Sequence, residues 1–374
     1  MQSPLKFIDS NNSSFFLAVR KRVDQYFESN GISKRANTSM IAKTVFYIVS
    51  FVALYLLILL QVFPLYITFI LAIALGMNMA FIGFNICHDA LHGSYSSKSW
   101  VNKSLGFFFN IIGANVYIWN ITHNKIHHTY TNIVDHDGDL EVAPGMVRVS
   151  PKEEYKPIYR YQHIYAFFLY ALASISWFFR KDYVKFFQKK IGQHENNHPK
   201  IEYFNLFFYK LLYYTLFIIL PLVVMDITWW QYLIGFLALN FAEGLVLGLV
   251  FQLAHLVEQT SFPQPEENEN IEEAWAEHQM RTTANFSRKS KLATFLCGGL
   301  NCQVEHHLFP KICHIHYPAI SDIVKETALE HNLPYHENET FFTALRSHSN
   351  FLKKMGRPVS SSKREEVKSL QEQI

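Results

Sequence analysis

The sequence predicts an all-α, polytopic membrane protein whose four transmembrane helices form two hairpins, with interfacial helices and a cytosolic helical cap. The first observation is an apolar stretch from Thr44 to Cys87 without a charged residue, long enough for two spans of about 20 residues each. The second is a similar stretch from Phe204 to Val257. The third is that lysines and arginines cluster before each stretch and are missing from the turn in its middle.

Composition narrows the class of protein further. Of the 374 residues, 49% are hydrophobic and only 17% are charged, against roughly 25% charged in average proteins, which argues against a disordered chain. A net charge of +3 gives no indication of a nucleic-acid partner. The four cysteines form no CxxC pair and are predicted to be reduced thiols. The N-terminus lacks the basic-then-apolar pattern of a signal peptide.

Three parts are expected along the chain: a cytosolic N-terminal segment at 1–43, one domain at 44–325 and a cytosolic C-terminal segment at 326–374. In the first, Ser13 to Asn30 has the apolar periodicity of an amphipathic helix. The last residues, Ser360 to Ile374, are polar and charged and are predicted to be disordered. The predicted spans within the domain are about 44–62, 65–87, 204–225 and 229–254.

The positive-inside rule sets the orientation. Both hairpins are expected to enter from the cytoplasm and return to it, leaving both termini cytoplasmic. Two shorter apolar stretches, Leu105 to Ile121 and Tyr161 to Phe179, are interpreted as helices lying in the membrane interface. A large soluble helical core is the alternative, but uncharged runs of this length favour a membrane. The basic residues before the first and third spans are Arg20, Lys21, Arg22, Lys34, Arg35 and Lys43, and Arg180, Lys181, Lys185, Lys189 and Lys190.

Histidines are concentrated in three short motifs and at one span end. A spacing of four residues, which recurs in these motifs, places two side chains on one face of a helix. Hydropathy and charge alone define the spans, and the resulting topology brings all of these histidines to the cytoplasmic membrane face. They are His88 and His92 in HDALH, His123, His127 and His128 in HNKIHH, His306 and His307 in QVEHH, which begins with Gln303, and His255 at the end of the fourth span.

Such a cluster suits metal binding, because neutral imidazole is a good ligand for iron, zinc and copper. One zinc ion takes about four ligands, so eight histidines and a glutamine suit two ions with open positions. Iron is favoured because redox chemistry on O₂ needs a metal that changes oxidation state. Each motif alone also fits histidines with a structural role, so the prediction rests on their combination. Ligating imidazoles usually donate their second N–H to a carboxylate or carbonyl, and the nearby candidates are Asp89, Asp135, Asp137, Asp139 and Glu305.

HDALHG, WNITHNKIHHTYTN and GGLNCQVEHHLFPKICHIHYP resemble the three histidine boxes of membrane fatty acid desaturases, and the resemblance covers about Phe46 to Pro318. It implies a four-helix membrane base under a cytosolic cap, with a histidine-ligated di-iron centre between them. Gln303 stands where many members have histidine, a substitution typical of front-end desaturases, which act between an existing double bond and the carboxyl end. Whether Gln303 binds metal is left open. The residues that match the family's ligands are His88, His92, His123, His127, His128, His306 and His307, with His255 at the place of a further ligand.

Front-end members often carry a fused cytochrome b5-like domain with an HPGG motif, which this sequence lacks. The resemblance therefore points to bacterial stand-alone desaturases of the linoleoyl-CoA type, in an inner membrane. It implies an acyl-CoA or acyl-lipid substrate, O₂, two iron ions and an external electron donor such as ferredoxin or a cytochrome b5-type protein. The apolar segments Leu105 to Trp119 and Tyr161 to Phe179 are candidate walls for the acyl chain.

Three other functions fit part of the pattern. A related di-iron hydroxylase or ketolase would use the same boxes, but QVEHHLFP and the TTANF segment favour desaturation. A metal transporter would place histidines or carboxylates in the middle of its spans, where this chain has few charged residues apart from Lys210 and Glu243. A zinc-dependent membrane hydrolase would need only about three ligands and a general base.

Overall fold

The computed structural model describes residues 5–140, 143–265 and 270–358. The described chain is mostly helical, which confirms the predicted all-α class. The tail that was predicted to be disordered, Ser360 to Ile374, lies outside these residues. The α-helices are α1 (Phe15–Ser29), α2 (Thr38–Leu59), α3 (Leu65–Ile82), α4 (His88–Leu91), α5 (Ser99–Ile111), α6 (Val116–Trp119), α7 (His128–Tyr130), α8 (Gln162–Ala171), α9 (Ala173–Ser176), α10 (Asp182–Phe187), α11 (Lys200–Tyr214), α12 (Leu220–Val224), α13 (Trp229–His255), α14 (Trp275–Thr282), α15 (Lys291–Cys297), α16 (Gln303–Leu308), α17 (Tyr317–Glu330) and α18 (Phe341–Met355).

Several of these helices are joined by wider or tighter helical turns. The strands are only two residues long and pair as β1 with β4, β2 with β3, and β5 with β6. These short pairs connect loops through backbone hydrogen bonds, and they form no larger sheet among the described residues. Their bounds are β1 (Lys6–Phe7), β2 (Lys190–Ile191), β3 (His194–Glu195), β4 (Asn270–Ile271), β5 (Asn285–Phe286) and β6 (Glu337–Asn338); the π-helical segments are Gly83–Cys87, Asn120–His127, Trp177–Lys181 and Thr215–Ile219, and the 3₁₀ helices are Pro157–Tyr161 and His314–His316.

Within residues 5–140, 143–265 and 270–358, four helices are each long and apolar enough to cross a membrane: Thr38–Leu59, Leu65–Leu91, Lys200–Val224 and Trp229–His255. The first and third bury only 22% of their most apolar 18 residues, so most of their apolar side chains face outward. Water would penalise so much exposed apolar surface, whereas lipid does not. The chain is therefore an integral membrane protein.

The span boundaries differ from the predicted ones where local chemistry extends a helix. The first span begins six residues early, because the Asn37 side chain accepts a hydrogen bond from the Met40 amide and caps the helix there. Lys43, expected outside the membrane, is consequently inside α2, where it is buried and its Nζ lies 3.1 Å from Nε2 of His314. The second span continues past residue 87 to Leu91 through a π-helical turn.

The stretch from Leu105 to Ile121, predicted to be one interfacial helix, is two helices. They are Ser99–Ile111 and Val116–Tyr130, and they meet at an angle of 111°. The prediction of one helix was wrong because Gly113 has a φ of +99°, a conformation open to glycine that a continuing helix does not use. The second stretch, Tyr161 to Phe179, is helical but is interrupted at Leu172.

Two ionisable residues well inside the later spans, Lys210 and Glu243, both have buried partners. Nζ of Lys210 lies 2.6 Å from Oδ2 of Asp182 and 2.6 Å from the carbonyl of Gly113, which ties α11 to the bend between α5 and α6. The Glu243 carboxylate accepts a hydrogen bond from the Ser174 hydroxyl, linking α13 to α9. Each contact gives a buried ionisable side chain a partner, which lowers the cost of burying it, and each contact links two helices.

The helices α3 and α13 cross at very short range at one glycine. A Cβ added to Gly76 would lie 2.0 Å from the Leu239 carbonyl oxygen. This contact is with backbone, so a side-chain movement cannot relieve it. Gly76 therefore sets the distance between the second and fourth spans, which carry the histidines of the first motif and His255.

Gly76→Ala is expected to lower the free energy of unfolding by about 3 kcal/mol or more, the upper range for overpacking a core. The measurement is the thermal midpoint of the purified protein in detergent. Gly235→Ala is the matched control on α13, because nothing lies within 4 Å of the added Cβ, and its midpoint should stay the same or rise. Equal midpoints for the two variants would contradict the close crossing.

The remaining helices form a second packed region built around α1. As predicted, α1 is amphipathic and buries Phe15, Val19, Val23 and Phe27. These side chains pack in one hydrophobic cluster with residues of α14, α16 and α17, among them Val304 and Val324. The third histidine motif lies on α16, so this cluster holds it in position.

Candidate metal centre

The structure brings together all eight histidines from the three motifs and from α13. Seven of them are buried, from 0% to 7% exposed, and His92 is half-buried. They come from four places in the chain: the end of α3 with α4, the segment from Asn120 to α7, the last residue of α13, and α16. The structure thus brings these separate parts of the chain together at one place.

The imidazole nitrogens fall into groups compact enough to hold metal ions. His88, His92, His123 and His306 form one group, and His127, His255 and His307 form a second; within each, the ligating atoms lie within 4.8 Å of one another. His128 joins the two, because it groups with both His306 and His307. The arrangement offers two neighbouring positions for metal, with His128 between them.

The direction of the imidazole rings tests whether these residues fit a metal. Nδ1 of His127 lies 2.9 Å from Oδ2 of Asp137, Nδ1 of His123 lies 3.4 Å from Oδ2 of Asp139, and Nδ1 of His307 lies 2.7 Å from Oε1 of Gln279. Because these oxygens can only accept, each Nδ1 carries the proton and each Nε2 presents a lone pair.

These Nε2 lone pairs either face one another or have no hydrogen-bond donor in front of them. Nε2 of His123 lies 3.3 Å from Nε2 of both His88 and His128. Nε2 of His92, His127 and His307 is buried without a hydrogen-bond partner. Buried polar atoms are rarely left unpaired, and converging lone pairs repel unless a cation lies between them. The donor set therefore fits imidazole-bound metal.

Burial favours the protonation state that metal binding requires. It lowers the pKa of the His306 and His307 imidazoles well below the ordinary value, with neighbouring histidines adding to the effect. Burial alone would raise the pKa of Asp139, but Lys181 and His123 outweigh it and lower the pKa below its usual range. The two α16 imidazoles are neutral and Asp139 is ionised near pH 7.

A π-helix explains the extra histidine in HNKIHH. Asn120–His127 is π-helical, and the His128 amide donates to the His123 carbonyl, five residues back. This spacing places His123 and His128 close together, with ring centroids 4.8 Å apart. His127 turns toward the second group, where its ring centroid lies 4.7 Å from that of His255. One short segment thus contributes to both metal positions.

The other predicted residues divide into those near the histidines and those with other partners. Nε2 of Gln303 lies 2.9 Å from Nε2 of His255, so Gln303 is at the site. Asp137 and Asp139 contact histidines as described above. Asp89 instead lies 2.8 Å from Nδ1 of His314, and Asp135 is exposed. Glu305 accepts hydrogen bonds from Asn285 and from Tyr335, and burial raises its pKa to about 7.

Several side chains contact the histidines without having been predicted, among them Gln279, Tyr317 and Trp119. Gln279 of α14 holds Nδ1 of His307, the Tyr317 hydroxyl lies 3.3 Å from Nδ1 of His306, and Trp119 stacks on His123 with centroids 4.4 Å apart. A signal was present for Gln279, because it lies three residues before the TTANF segment, which favours the same family. The roles of Tyr317 and Trp119 have no sequence signal beyond their closeness to a motif.

A cavity of about 150 Å³ adjoins the histidines. Its metal end is formed by His88, His123 and Gln303, and its lining also includes the charged residues Asp139, Lys181, Asp182 and Lys185. Most of the remaining wall is apolar, which suits a hydrocarbon chain. These apolar residues include Phe109, Ile118, Trp119, Ala173, Trp177, Leu247 and Phe251.

Comparison with known proteins agrees with the geometry. A family model described as fatty acid desaturase matches residues 64–339. An sn-1 linoleoyl-lipid 6-desaturase of Arthrospira platensis is 36% identical over 90% of this chain and 91% of its own length, and one of Synechocystis sp. is 35% identical over 92% and 96%. An acyl-lipid (8-3)-desaturase of Physcomitrium patens is 35% identical over 95% of this chain and 74% of its own length. The chain belongs to the fatty acid desaturase family.

Proposed function

We propose that this protein is a front-end fatty acid desaturase that inserts a double bond between an existing one and the carboxyl end of a lipid-bound acyl chain. The observation that carries the proposal is the convergence of eight histidines, with lone pairs facing one another, beside an apolar cavity. The names of the relatives, linoleoyl-lipid 6-desaturase and acyl-lipid (8-3)-desaturase, support the regiochemistry.

The proposed cofactor is a pair of iron ions. His88, His92, His123 and His306 would hold one, His127, His255 and His307 the other, with His128 between them. Gln303 remains a candidate ligand because its Oε1 is buried and unpartnered. Asp137, Asp139 and Gln279 would keep three rings oriented through Nδ1. Asp89 and Glu305 are proposed to act only through the segments that carry the neighbouring histidines, and we assign no role to Asp135.

Iron held at these positions would activate O₂ as the oxidant, a role that acid–base groups cannot take because they cannot remove a hydrogen from an unactivated C–H bond. The overall reaction converts CH₂–CH₂, O₂, two electrons and two protons into CH=CH and two waters. The chain's own contribution is placement. Trp119 and Phe251 lie on the cavity wall next to histidines and would hold one C–C bond at the metal end.

In the proposed topology, both hairpins enter a bacterial inner membrane from the cytoplasm and return to it, so that the termini and the metal centre are cytoplasmic. The desaturase domain is proposed to span 44–325, between short cytosolic segments at 1–43 and 326–374. The lysines and arginines near the ends of the spans support this orientation. The electron donor is proposed to be a separate ferredoxin or cytochrome b5-type protein.

Expression in a host fed linoleic acid tests the function. Mass spectrometry of the fatty acids is expected to find a new double bond on the carboxyl side of the existing pair. A hydroxylated product would instead support the related hydroxylase, and a bond on the methyl side would contradict front-end selectivity. Separating the glycerolipid and acyl-CoA pools before analysis, early after feeding, identifies the carrier: the relatives' names favour product that appears first in glycerolipid.

Metal analysis of the purified protein is a separate prediction. About two irons per chain are expected, because the histidines form two groups joined by His128. Chelation should abolish desaturation, and added ferrous iron should restore it. One tightly bound zinc per chain would contradict the proposal, because zinc does not change oxidation state.

A further inference from the structure

The fourth span contains a buried polar side chain that nothing described so far uses. Gln252 of α13 is 0% exposed, and neither Nε2 nor Oε1 of its amide has a hydrogen-bond partner. Exchanging the two amide atoms would not change this, since both are unpaired. A buried amide without partners is costly and uncommon, which indicates that a polar group binds there.

The position of Gln252 indicates where that polar group belongs. It lines the same cavity as His88, His123 and Gln303, and it also borders a second cavity beside Asp137 and Leu256. It also precedes His255 by three residues on one helix, about 4.5 Å along the axis. Several other polar groups of the lining already have partners: the Trp177 indole donates to Asp182, and the Thr122 hydroxyl to the Trp119 carbonyl.

We propose that the Gln252 amide donates a hydrogen bond to the carbonyl oxygen of the acyl ester or thioester. This rests on the proposed front-end function, in which only a few methylene groups separate the reacting carbons from the carbonyl. That polar carbonyl must then enter the cavity, whose wall is mostly apolar, close to the metal end. A single amide donor there would fix how far the reacting carbons lie from the carboxyl end, which makes Gln252 the residue that determines the position of the new bond.

Binding to the purified, iron-loaded wild-type protein in detergent is the first test. The probes are a linoleoyl glycerophosphocholine ester, its ether analogue without the carbonyl, linoleoyl-CoA and its thioether analogue. The carbonyl compound of the matching pair is expected to bind about tenfold more tightly, the range of one hydrogen bond to a buried amide. The pair that shows the larger difference identifies an ester or a thioester as the natural partner. Equal binding within both pairs overturns the proposal.

The second test compares Gln252→Met with Leu253→Met. Methionine approximates the length of glutamine without its donors, and Leu253 is the buried neighbour on α13 that lies outside the cavity lining. Gln252→Met should keep its iron and thermal stability, lose the preference for the carbonyl compound, and place new double bonds at more than one position with about tenfold less product. Leu253→Met should match the wild type in all five readouts.

The outcomes separate this inference from the proposed function. A wild type that makes no new double bond refutes the function, whereas a wild type that desaturates but does not prefer the carbonyl compounds refutes only the role of Gln252. If Gln252→Met keeps both the carbonyl preference and the single product position, the amide holds a water molecule and the inference is wrong.

Discussion

Replacing His127 by alanine is expected to abolish desaturation and to reduce bound iron from about two to about one per chain. His127 belongs to the group with His255 and His307 and to no other, so its loss leaves that position with two imidazoles. Removing a residue that only hydrogen-bonds to a metal ligand typically costs about 10–100-fold in activity. Removing the ligand itself should cost more, so the loss of activity should exceed a hundredfold. Product analysis and iron content of the purified variant are the measurements.

Two further variants make the result for His127 interpretable. His88→Ala removes a member of the other group and should also leave about one iron, which would show two separable positions. His194→Ala changes a histidine of β3, outside both groups, and should retain full iron and activity. Desaturation that survives His127→Ala with both irons bound would exclude this histidine as a ligand.

Replacing Asp137 by asparagine should lower activity by 10–100-fold, with weaker iron binding, while the fold is kept. The asparagine oxygen can still accept the bonds that Asp137 takes from Nδ1 of His127 and from the Asn132 amide, 2.9 and 3.0 Å long. What is lost is the charge that makes the His127 ring a stronger ligand, together with the hydrogen bond that Oδ1 of Asp137 accepts from the Asp139 backbone amide. The measurements are the product yield and the concentration of chelator that removes half of the iron.

Asp135→Asn is the matched control for Asp137→Asn, because it makes the same chemical change two residues away. Asp135 is exposed and has a φ of +68°, a backbone conformation that asparagine adopts readily. Activity and iron binding should therefore equal those of the wild type. If both variants lose activity to the same extent, the effect comes from the loop and not from the carboxylate beside His127.

Hydropathy and motif spacing predict most of this architecture but not its details. A charge-free run of side chains identifies the first span, yet only the Asn37 cap decides that α2 begins at Thr38. The apolar content of Leu105 to Ile121 does not reveal the bend, because one glycine conformation at Gly113 breaks the helix. Many apolar residues together determine that a segment lies in lipid, so this property is readily predicted. The residue at which a helix begins or bends depends on one side chain or one glycine, so it is not.

The residues that hydrogen-bond to the histidine rings were predicted less accurately than the histidines themselves, for a geometric reason. Closeness in sequence identified Asp137 and Asp139, which follow HNKIHH in a tight loop. Asp89 is next to His88 in sequence but turns away on the helix by about 100° and meets His314 instead. Gln279, in contrast, reaches His307 from a separate helix 28 residues earlier. Which side chain meets which ring depends on tertiary packing.

The π-helix at Asn120–His127 makes the length of this segment as important as its residues. A chain one residue shorter there could close into an ordinary α-helix, and everything beyond the deletion would rotate by about 100° about the axis. His128 would then leave the gap between the two groups even though every histidine was still present. Natural variation in this stretch should therefore consist of substitutions, and a single-residue deletion should be as damaging as the loss of a ligand.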